Sequence, residues 1–394
     1  MEKRDKNGFS IKTKDPRVAY FSMEIAIENE IPTYSGGLGV LAGDTLRSAA
    51  DMEVPMVGIT LLSRKGYFSQ SFDENFMQIE SPIKWQVDKY LEPLQVRVTV
   101  PIEGRQVKLG AWRYYIEGIS GYKLPVYFLD ANIQGNNPSD IQLTDYLYGG
   151  DTAYRLKQEI ILGIGGVRLL DALGYNNILK YHMNEGHAAL LTLQLLKNEN
   201  GDHEAVTKKC VFTTHTPVPA GHDRFPRALV EKTLEGFITS EEAAVIFPNG
   251  ELNMTFLALR FSEYINGVTK KHGEISRSMF PGYPISSITN GVHTLFWTSD
   301  PFRHLYDKYL DGWRSDPFML RYASSIPQEE IYNAHQQAKH TLIDRINALT
   351  NAEMEYDVFT LGFARRATAY KRATLLFHDP ERLAKIAEKC GKIQ

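Results

Sequence analysis

The chain has 394 residues, 43% apolar and 23% charged, with 30 Gly and 18 Pro. At about 100–200 residues per domain this predicts two or three domains, and it excludes disordered, collagenous and low-complexity classes. With 44 basic and 47 acidic residues the formal charge is −3, which argues against a general nucleic-acid binder. The two cysteines, Cys210 and Cys390, are too few for a disulfide framework, and no CxxC suggests a thiolate zinc site. Buried packing is the expected role of both. The start, MEKRDKNGFSIKTKDPRVAYFS, lacks the apolar core of a signal peptide. No window approaches about 18 unbroken apolar residues; Ile160 to Leu173 comes nearest and is cut by Arg168 and Asp171. The expected setting is reducing and cytoplasmic, without a membrane.

In chain order, Arg17 to Ser22 reads as a short buried strand. Tyr34-Ser-Gly-Gly-Leu-Gly-Val follows, then a helical pattern through LAGDTLRSAADMEV and a buried strand at Pro55 to Leu62. Strand, Gly-rich loop, helix, strand is a βαβ unit and predicts a parallel sheet. Gln95 to Val100 and Gln106 to Ile116 alternate apolar and polar residues about a Glu103-Gly104 turn, as an antiparallel hairpin inserted in the α/β scheme would. A helix is expected over Thr152 to Leu173, then a strand and loop at Ile178 to Glu185 and a helix from Gly186 to Lys197. A strand at Lys209 to Thr214 leads into His215-Thr-Pro-Val-Pro-Ala-Gly-His222, and Ile285 to Thr289 ends at Asn290-Gly291.

Pro327 opens an amphipathic helix whose apolar stripe is Ile331, Ala334, Ala338, Leu342, Ile346 and Leu349. Val358 to Ala364 reads as a strand, followed by Arg365-Arg366 and a helix containing Tyr370-Lys371-Arg372. Ala387 to Gln394 close a helix where an α/β fold would begin its next strand, so the expectation is a cut chain. Lys270-Lys271-His272 reads as the solvated end of a helix. Asn253-Met254-Thr255 fits the glycosylation pattern, without relevance in a cytoplasmic protein.

Three constellations carry chemistry. Ser35-Gly36-Gly37-Leu38-Gly39 lies between a strand and a helix, where missing Cβ atoms let amides approach a phosphate or sugar. A tight turn without ligand remains the alternative, and neither the dinucleotide nor the Walker fingerprint is met. Arg365, Arg366, Lys371 and Arg372 place four cations within eight residues at a strand-to-helix turn. Cations ordinarily favour helix C-termini, so this placement points to anion binding rather than a solvated helix start. Polar residues also cluster at strand ends: Asn184-Glu185-Gly186-His187, His215-Thr216-Pro217 and Asn290-Gly291. Ligands of open α/β sheets bind beyond the carboxyl ends of the strands, so these predict one cleft. His182-x-x-Glu185-x-His187 lacks the i, i+4 spacing of the helical zinc motif, and no metal is expected. A G-x-S-x-G nucleophile elbow is absent.

Taken in order, VAYFSMEIAIENEIPTYSGGLGVLAGDTLRSAADMEVPMVGI, RLKQEI, HMNEGHAAL, FTTHTPVPAGHD, INGVTKKHGEISR, ITNGVH and ARRATAYKR resemble successive blocks of the α-glucan phosphorylases, in their compact bacterial and archaeal form. The resemblance runs from about Arg17 to the C-terminus. It implies a GT-B fold: a Rossmann-like N-terminal domain with the inserted hairpin, residues 1–290, then the hinge and first elements of an incomplete second Rossmann-like domain, 291–394. It implies transfer of terminal α-1,4-linked glucosyl units of glycogen or maltodextrin to inorganic phosphate, giving glucose 1-phosphate, with pyridoxal phosphate as cofactor. By the same resemblance, Gly36, Gly37 and Gly39 bring amides to the phosphates and the glucosyl unit, and Glu24 belongs to the first active-site strand block. His215 and Asn290 bond sugar hydroxyls, while Asn184, Glu185 and His187 lie beside the glucan subsites. Arg366 holds the substrate phosphate; Lys371, with Arg365 and the adjoining Tyr370, holds that of the cofactor.

The sequence departs from the family in three places. Ala26 stands where many members have Tyr beside the cofactor ring, and the stretch from Tyr148 to Arg155 is shorter than the gate loop of longer members. The GTxNMK- or GTSGMK-type block that carries the cofactor lysine occurs nowhere in these 394 residues. Covalent cofactor attachment by this segment is therefore not expected, nor is activity of the segment alone. Two other readings stay open: a nucleotide-sugar-dependent glucosyltransferase of the glycogen or starch synthase kind, and a non-catalytic glucan-binding fragment. Partners are limited to glucan and phosphate, with a homodimer left open.

Overall fold

A strand covered on both faces reads as one apolar run, and VAYFS is such a strand. In β1 (Val18–Ser22), Ala19 and Phe21 enter one core cluster and Tyr20 the cluster on the opposite face. The structure is a computed structural model that describes residues 12–75, 77–218, 221–365 and 371–394. The chain divides after His293 into two units, each with its own core.

The first unit is built on a 10-stranded sheet. β1 lies at its centre, paired in parallel with β2 (Met56–Leu61) on one side and with Lys180–Asn184 on the other. Beyond β2 come Lys123–Asp130 in parallel and Arg105–Glu117 in antiparallel. Beyond Lys180–Asn184 come Cys210–Thr214, Tyr264–Gly267 and Ile285–Ser287, all parallel. The chain thus builds outward from β1 in one direction, returns, and builds outward in the other. Strand order reverses between β1 and Lys180–Asn184, and it is beyond the carboxyl ends at such a reversal that open α/β sheets place their ligand crevice. The inserted hairpin is present as Val98–Ile102 against Arg105–Glu117. Its turn residues Glu103 and Gly104 both have positive φ, 49° and 73°, which suits a two-residue connection of the hairpin hand.

Helix α1 (Gly37–Asp51) crosses from β1 to β2. It rests on the backbone that leaves β1: a Cβ on Gly43 would lie 1.9 Å from the Ala26 carbonyl oxygen, and Ala26 N donates to Gly39 O at 2.9 Å. The helix expected over Thr152 to Leu173 is three pieces, an α-helix Thr152–Ile160, a π turn Ile161–Gly165 and an α-helix Gly166–Ala172. Glycines permit the wide turn's close packing. A Cβ on Gly163 would meet Leu191 N at 2.5 Å, and one on Gly166 would meet Phe21 Cε1 at 2.4 Å. Ser69–Phe72 and Gln78–Ser81 form an antiparallel ribbon exposed at every residue, which periodicity did not reveal. Cys210 is buried as expected. Of the supposed solvated helix end, only Lys270 and Lys271 are exposed; His272 is buried and its Nδ1 accepts from Val268 N at 3.2 Å. Among the described residues no helix is long and apolar enough to cross a membrane.

In the second unit, helices Asp300–Tyr309 and Gln328–Thr350 enclose Trp313, Leu305, Leu310, Ile326 and Ala334. Three expectations fail here. The apolar stripe of the long helix is only partly covered: Ala334 and Ile343 are buried, whereas Leu342 and Leu349 are 52% and 74% exposed. Val358 to Ala364 is not a strand. Among the described residues it makes a single parallel bridge, Phe359 to Ile393, and no ladder partner flanks it there. Cys390, expected to be packed inside, is exposed at the end of helix Pro380–Cys390.

Because Gly43 touches backbone, which cannot rotate away, Gly43→Ala should destabilise the first unit by about 2–3 kcal/mol. Thermal melts followed by circular dichroism would show the loss; an unchanged midpoint would mean that α1 does not need this contact.

Candidate functional site

The crevice is furnished by residues that follow directly on strand ends. Ser22 closes β1 and lies opposite Asn184 in the parallel register. Asn184 Nδ2 donates to Ser22 Oγ at 3.0 Å, and Ser22 Oγ donates to the Glu24 carbonyl at 2.6 Å. Asn184 Oδ1 is thereby turned towards His215, whose Nε2 donates to it at 2.6 Å. His215 is fixed as the Nε2–H tautomer, leaving Nδ1 as an acceptor. Burial drives its imidazole down to about 3, so the ring is neutral.

Glu185 ties the ends of two strands together. Its Oε1 accepts from Gly186 N at 3.0 Å, and its Oε2 accepts from His215 N at 2.8 Å and Thr216 Oγ1 at 3.1 Å. Burial pushes this carboxyl above its ordinary range, and the amide donors oppose that. Its backbone has φ 74° and ψ 168°, a region used almost only by glycine. The side-chain bonds hold a conformation that the main chain alone would leave.

Glu24 does the same for the Gly-rich loop. It is 3% exposed, and its Oε2 accepts from Ser35 N at 2.6 Å and Gly36 N at 3.1 Å. Two amides of the expected cradle are therefore bonded to this carboxylate, while a Cβ on Gly37 would meet nothing within 4 Å. Gly39 is packed closely, 2.6 Å from Tyr34 Cβ and 2.9 Å from Glu24 Oε2 to its notional Cβ. Glu24 Oε1 accepts from Tyr148 OH at 2.9 Å. The Tyr148 ring stands edge-on to His187, centroids 5.7 Å apart, and the Arg155 guanidinium lies over it at 4.4 Å. Arg155 also bonds Glu159 and Asp223, each at 2.9 Å, and His187 Nε2 is 3.5 Å from Asp223 Oδ2. Burial, then the Arg155 charge, lowers His187 to about 3.

Glu24, Asn184, Glu185, His187 and His215 are thus joined by short contacts, with the glycine loop attached through Glu24. Asn290 is exposed; its N–H donates to Val268 O at 3.0 Å, and it shares no hydrogen bond with the cluster. In the second unit, Arg365 is exposed and Lys371 half-buried on a turn, and Arg372 has φ 51°. Arg366 and Tyr370 lie outside the described residues. The expected helix containing Tyr370-Lys371-Arg372 falls largely on residues 366–370, outside the described residues; after Arg372 come a short 3-10 turn, Leu375–Phe377, and a helix that starts at Pro380. Among the described residues no group of His, Cys, Asp or Glu could hold a metal ion.

Sequence reasoning missed Ser22, Tyr148, Arg155, Glu159 and Asp223. For Arg155 and Glu159 a signal existed, since opposite charges at i, i+4 on one helix lie on the same face and can pair. Tyr148 gave none; its φ of 57° is visible only in the fold.

No protein-family model matches the chain. It is 38% identical over 95% of its length to maltodextrin phosphorylase of Thermococcus litoralis, covering 50% of that protein. It is 33% identical over 94% of its length to glycogen phosphorylase of Mycobacterium tuberculosis, covering 49% of it. The glycogen phosphorylase of Aquifex aeolicus is 30% identical over 94% of the chain, which covers 60% of that protein. The chain spans about half the length of the curated relatives it matches.

Two outcomes follow from the cluster. Glu185→Ala should destabilise by about 2–4 kcal/mol, because it removes three hydrogen bonds yet keeps the strained backbone. Glu185→Gly should recover about 1 kcal/mol of that, because glycine tolerates the dihedrals. Urea melts of the two variants decide it, and equal losses would refute the strain argument. Between about pH 8 and 5 the imidazole 15N signals of His187 and His215 should not titrate; a midpoint near 6.5 for either would show that burial does not hold it neutral.

Proposed function

The chain belongs to the α-glucan phosphorylase family, and from that premise we propose that the crevice beside β1 binds terminal glucosyl units of an α-1,4-glucan. The activity we assign to the enzyme is phosphorolysis: a phosphate oxygen bonds to the anomeric carbon, the glycosidic bond to the next sugar breaks, and its oxygen leaves with a proton. The products are glucose 1-phosphate and a glucan shorter by one unit. The observation that carries this reading is the Ser22–Asn184–His215 relay at the point where strand order reverses. A neutral ring nitrogen and an amide, both orientationally fixed, suit hydroxyl groups rather than an anion.

The chemistry asks for binding and positioning rather than a side-chain nucleophile. The transition state is loose and oxocarbenium-like, so donors aimed beforehand and held by rigid neighbours lower its energy. We assign His215 to hydroxyl binding as an acceptor through Nδ1, its Nε2–H being given to Asn184, with Asn184, Glu185, His187 and Glu24 around the glucan subsites. Gly36, Gly37 and Gly39 form the loop beside the reacting sugar, and Asn290 is a further sugar contact. Arg366 is assigned to the substrate phosphate, and Lys371, with Arg365 and Tyr370, to the cofactor. Pyridoxal phosphate supplies, when bound, a phosphate that exchanges a proton with the substrate phosphate. The guanidinium of Arg365 and the ammonium of Lys371 have the donor chemistry to hold such a monoester. The work is placed in the cytoplasm, in carbohydrate breakdown.

Calorimetric titration with maltoheptaose tests the reading. The chain should bind it, and His215→Ala or Asn184→Ala should weaken binding about tenfold, the value of one well-placed hydrogen bond to a buried group. Failure to bind maltoheptaose would overturn the assignment, and binding of UDP- or ADP-glucose in its place would favour the nucleotide-sugar alternative.

A further inference from the structure

Beneath the crevice two carboxyl groups converge on one guanidinium. Arg155 Nε donates to Glu159 Oε1 and a terminal nitrogen donates to Asp223 Oδ2, both at 2.9 Å. The two acids are not equivalent. The Glu159 side chain is 0% exposed and its Oε2 has no hydrogen-bond partner, whereas Asp223 is 29% exposed to water. Leu156 and Ile160, neighbours of Glu159 on its own helix, are fully buried.

The other groups facing the pair are His187, 3.5 Å from Asp223, and Tyr148, whose ring lies under the guanidinium and whose hydroxyl is given to Glu24. If both acids were ionised, two negative charges would face one positive charge in a largely dry setting. An uncompensated buried carboxylate costs several kcal/mol, which uptake of a proton avoids. A charged His187 would relieve the imbalance instead, but its own burial and the Arg155 charge oppose that.

We propose that Glu159 is a protonated, neutral positioning residue, and that its proton lets anionic Asp223 hold His187 as the Nε2–H tautomer with Nδ1 turned to a ligand hydroxyl. Nδ1 of His187 is buried and has no protein partner, as an acceptor awaiting a hydroxyl would be. Burial, reinforced by the Asp223 charge, holds the Glu159 acid well above the usual carboxylate range. Burial opposes ionisation of Asp223, but the Arg155 charge and its hydrogen bond favour the anion, and the acid lies below its own range. The hydroxyl end of the argument rests on the glucan reading of the crevice; the proton assignment does not.

Infrared spectra of the whole chain near neutral pH read the proton directly. Wild type should show the C=O stretch of a protonated carboxyl, and Glu159→Gln should lose that band. Imidazole 15N shifts should report the Nε2–H tautomer for His187 in wild type. Glu159→Ala should disturb that pattern, and Glu159→Gln, which keeps shape and neutrality, should restore it. Absence of the band in wild type, its persistence in Glu159→Gln, or a changed tautomer in Glu159→Gln would each overturn the proposal. Should Glu159→Gln fail to fold, loss of the band in Glu159→Ala decides instead, and its persistence there would overturn the proposal. If wild type shows band and tautomer but binds no maltoheptaose, the glucan reading fails and the proton assignment stands.

Discussion

The bond from Asn184 Nδ2 to Ser22 Oγ joins the ends of the two strands between which the sheet changes direction. Parallel pairing brings these residues level, and nothing in a backbone ladder decides where their side chains point. The hydroxyl of Ser22 is committed to the Glu24 carbonyl, so it can only accept from Asn184, and Asn184 can then only accept from His215. Three orientations that a solvated surface would leave free follow from one donor. Glu185 reinforces the arrangement from the backbone side by fastening the loop that begins at His215. Preorganisation of this kind is obtained by strain at Glu185 and by full hydrogen bonding around it.

The electrostatics of the first unit follow from burial more than from net charge. The overall −3 says little about a crevice in which Glu24 is spent on backbone amides, two histidines are neutral, and Arg155 is shared between two acids. Such a surface offers fixed dipoles rather than free charge, and fixed dipoles suit hydroxyl groups of a neutral polyol. The contrast with the cations at Arg365 and Lys371 is one of chemistry, since guanidinium and ammonium groups suit a phosphate and the crevice offers oriented neutral groups.

Elements dominated by local pattern were legible in the sequence. β1, α1, β2 and the hairpin turn at Glu103-Gly104 each have a periodicity or a turn chemistry that few alternatives share. Strand-end residues Asn184, Glu185, His187 and His215 were legible because polar residues closing apolar runs are rare in a buried sheet. What failed was whatever depends on a neighbour distant in sequence. Val358 to Ala364 has the composition of a strand, but a strand exists only with a ladder beside it, and it makes one bridge. Leu342 and Leu349 keep helical spacing, but exposure is decided by what else packs on that face. The commitment of Ser35 and Gly36 amides to Glu24 could not be read from the glycines alone. The same holds for Asp223, which meets Arg155 only because a loop returns 68 residues later.

The ribbon Ser69–Phe72 and Gln78–Ser81 is exposed at every residue and is absent from the pairing of the main sheet. A segment with so little stake in either core is where a lineage can lengthen, shorten or rewrite the chain while the strands on both sides of it keep their register. Selection on the crevice and variation on the ribbon therefore act on separate parts of one unit. The first unit can acquire new surface contacts there without disturbing the strand ends that define its site.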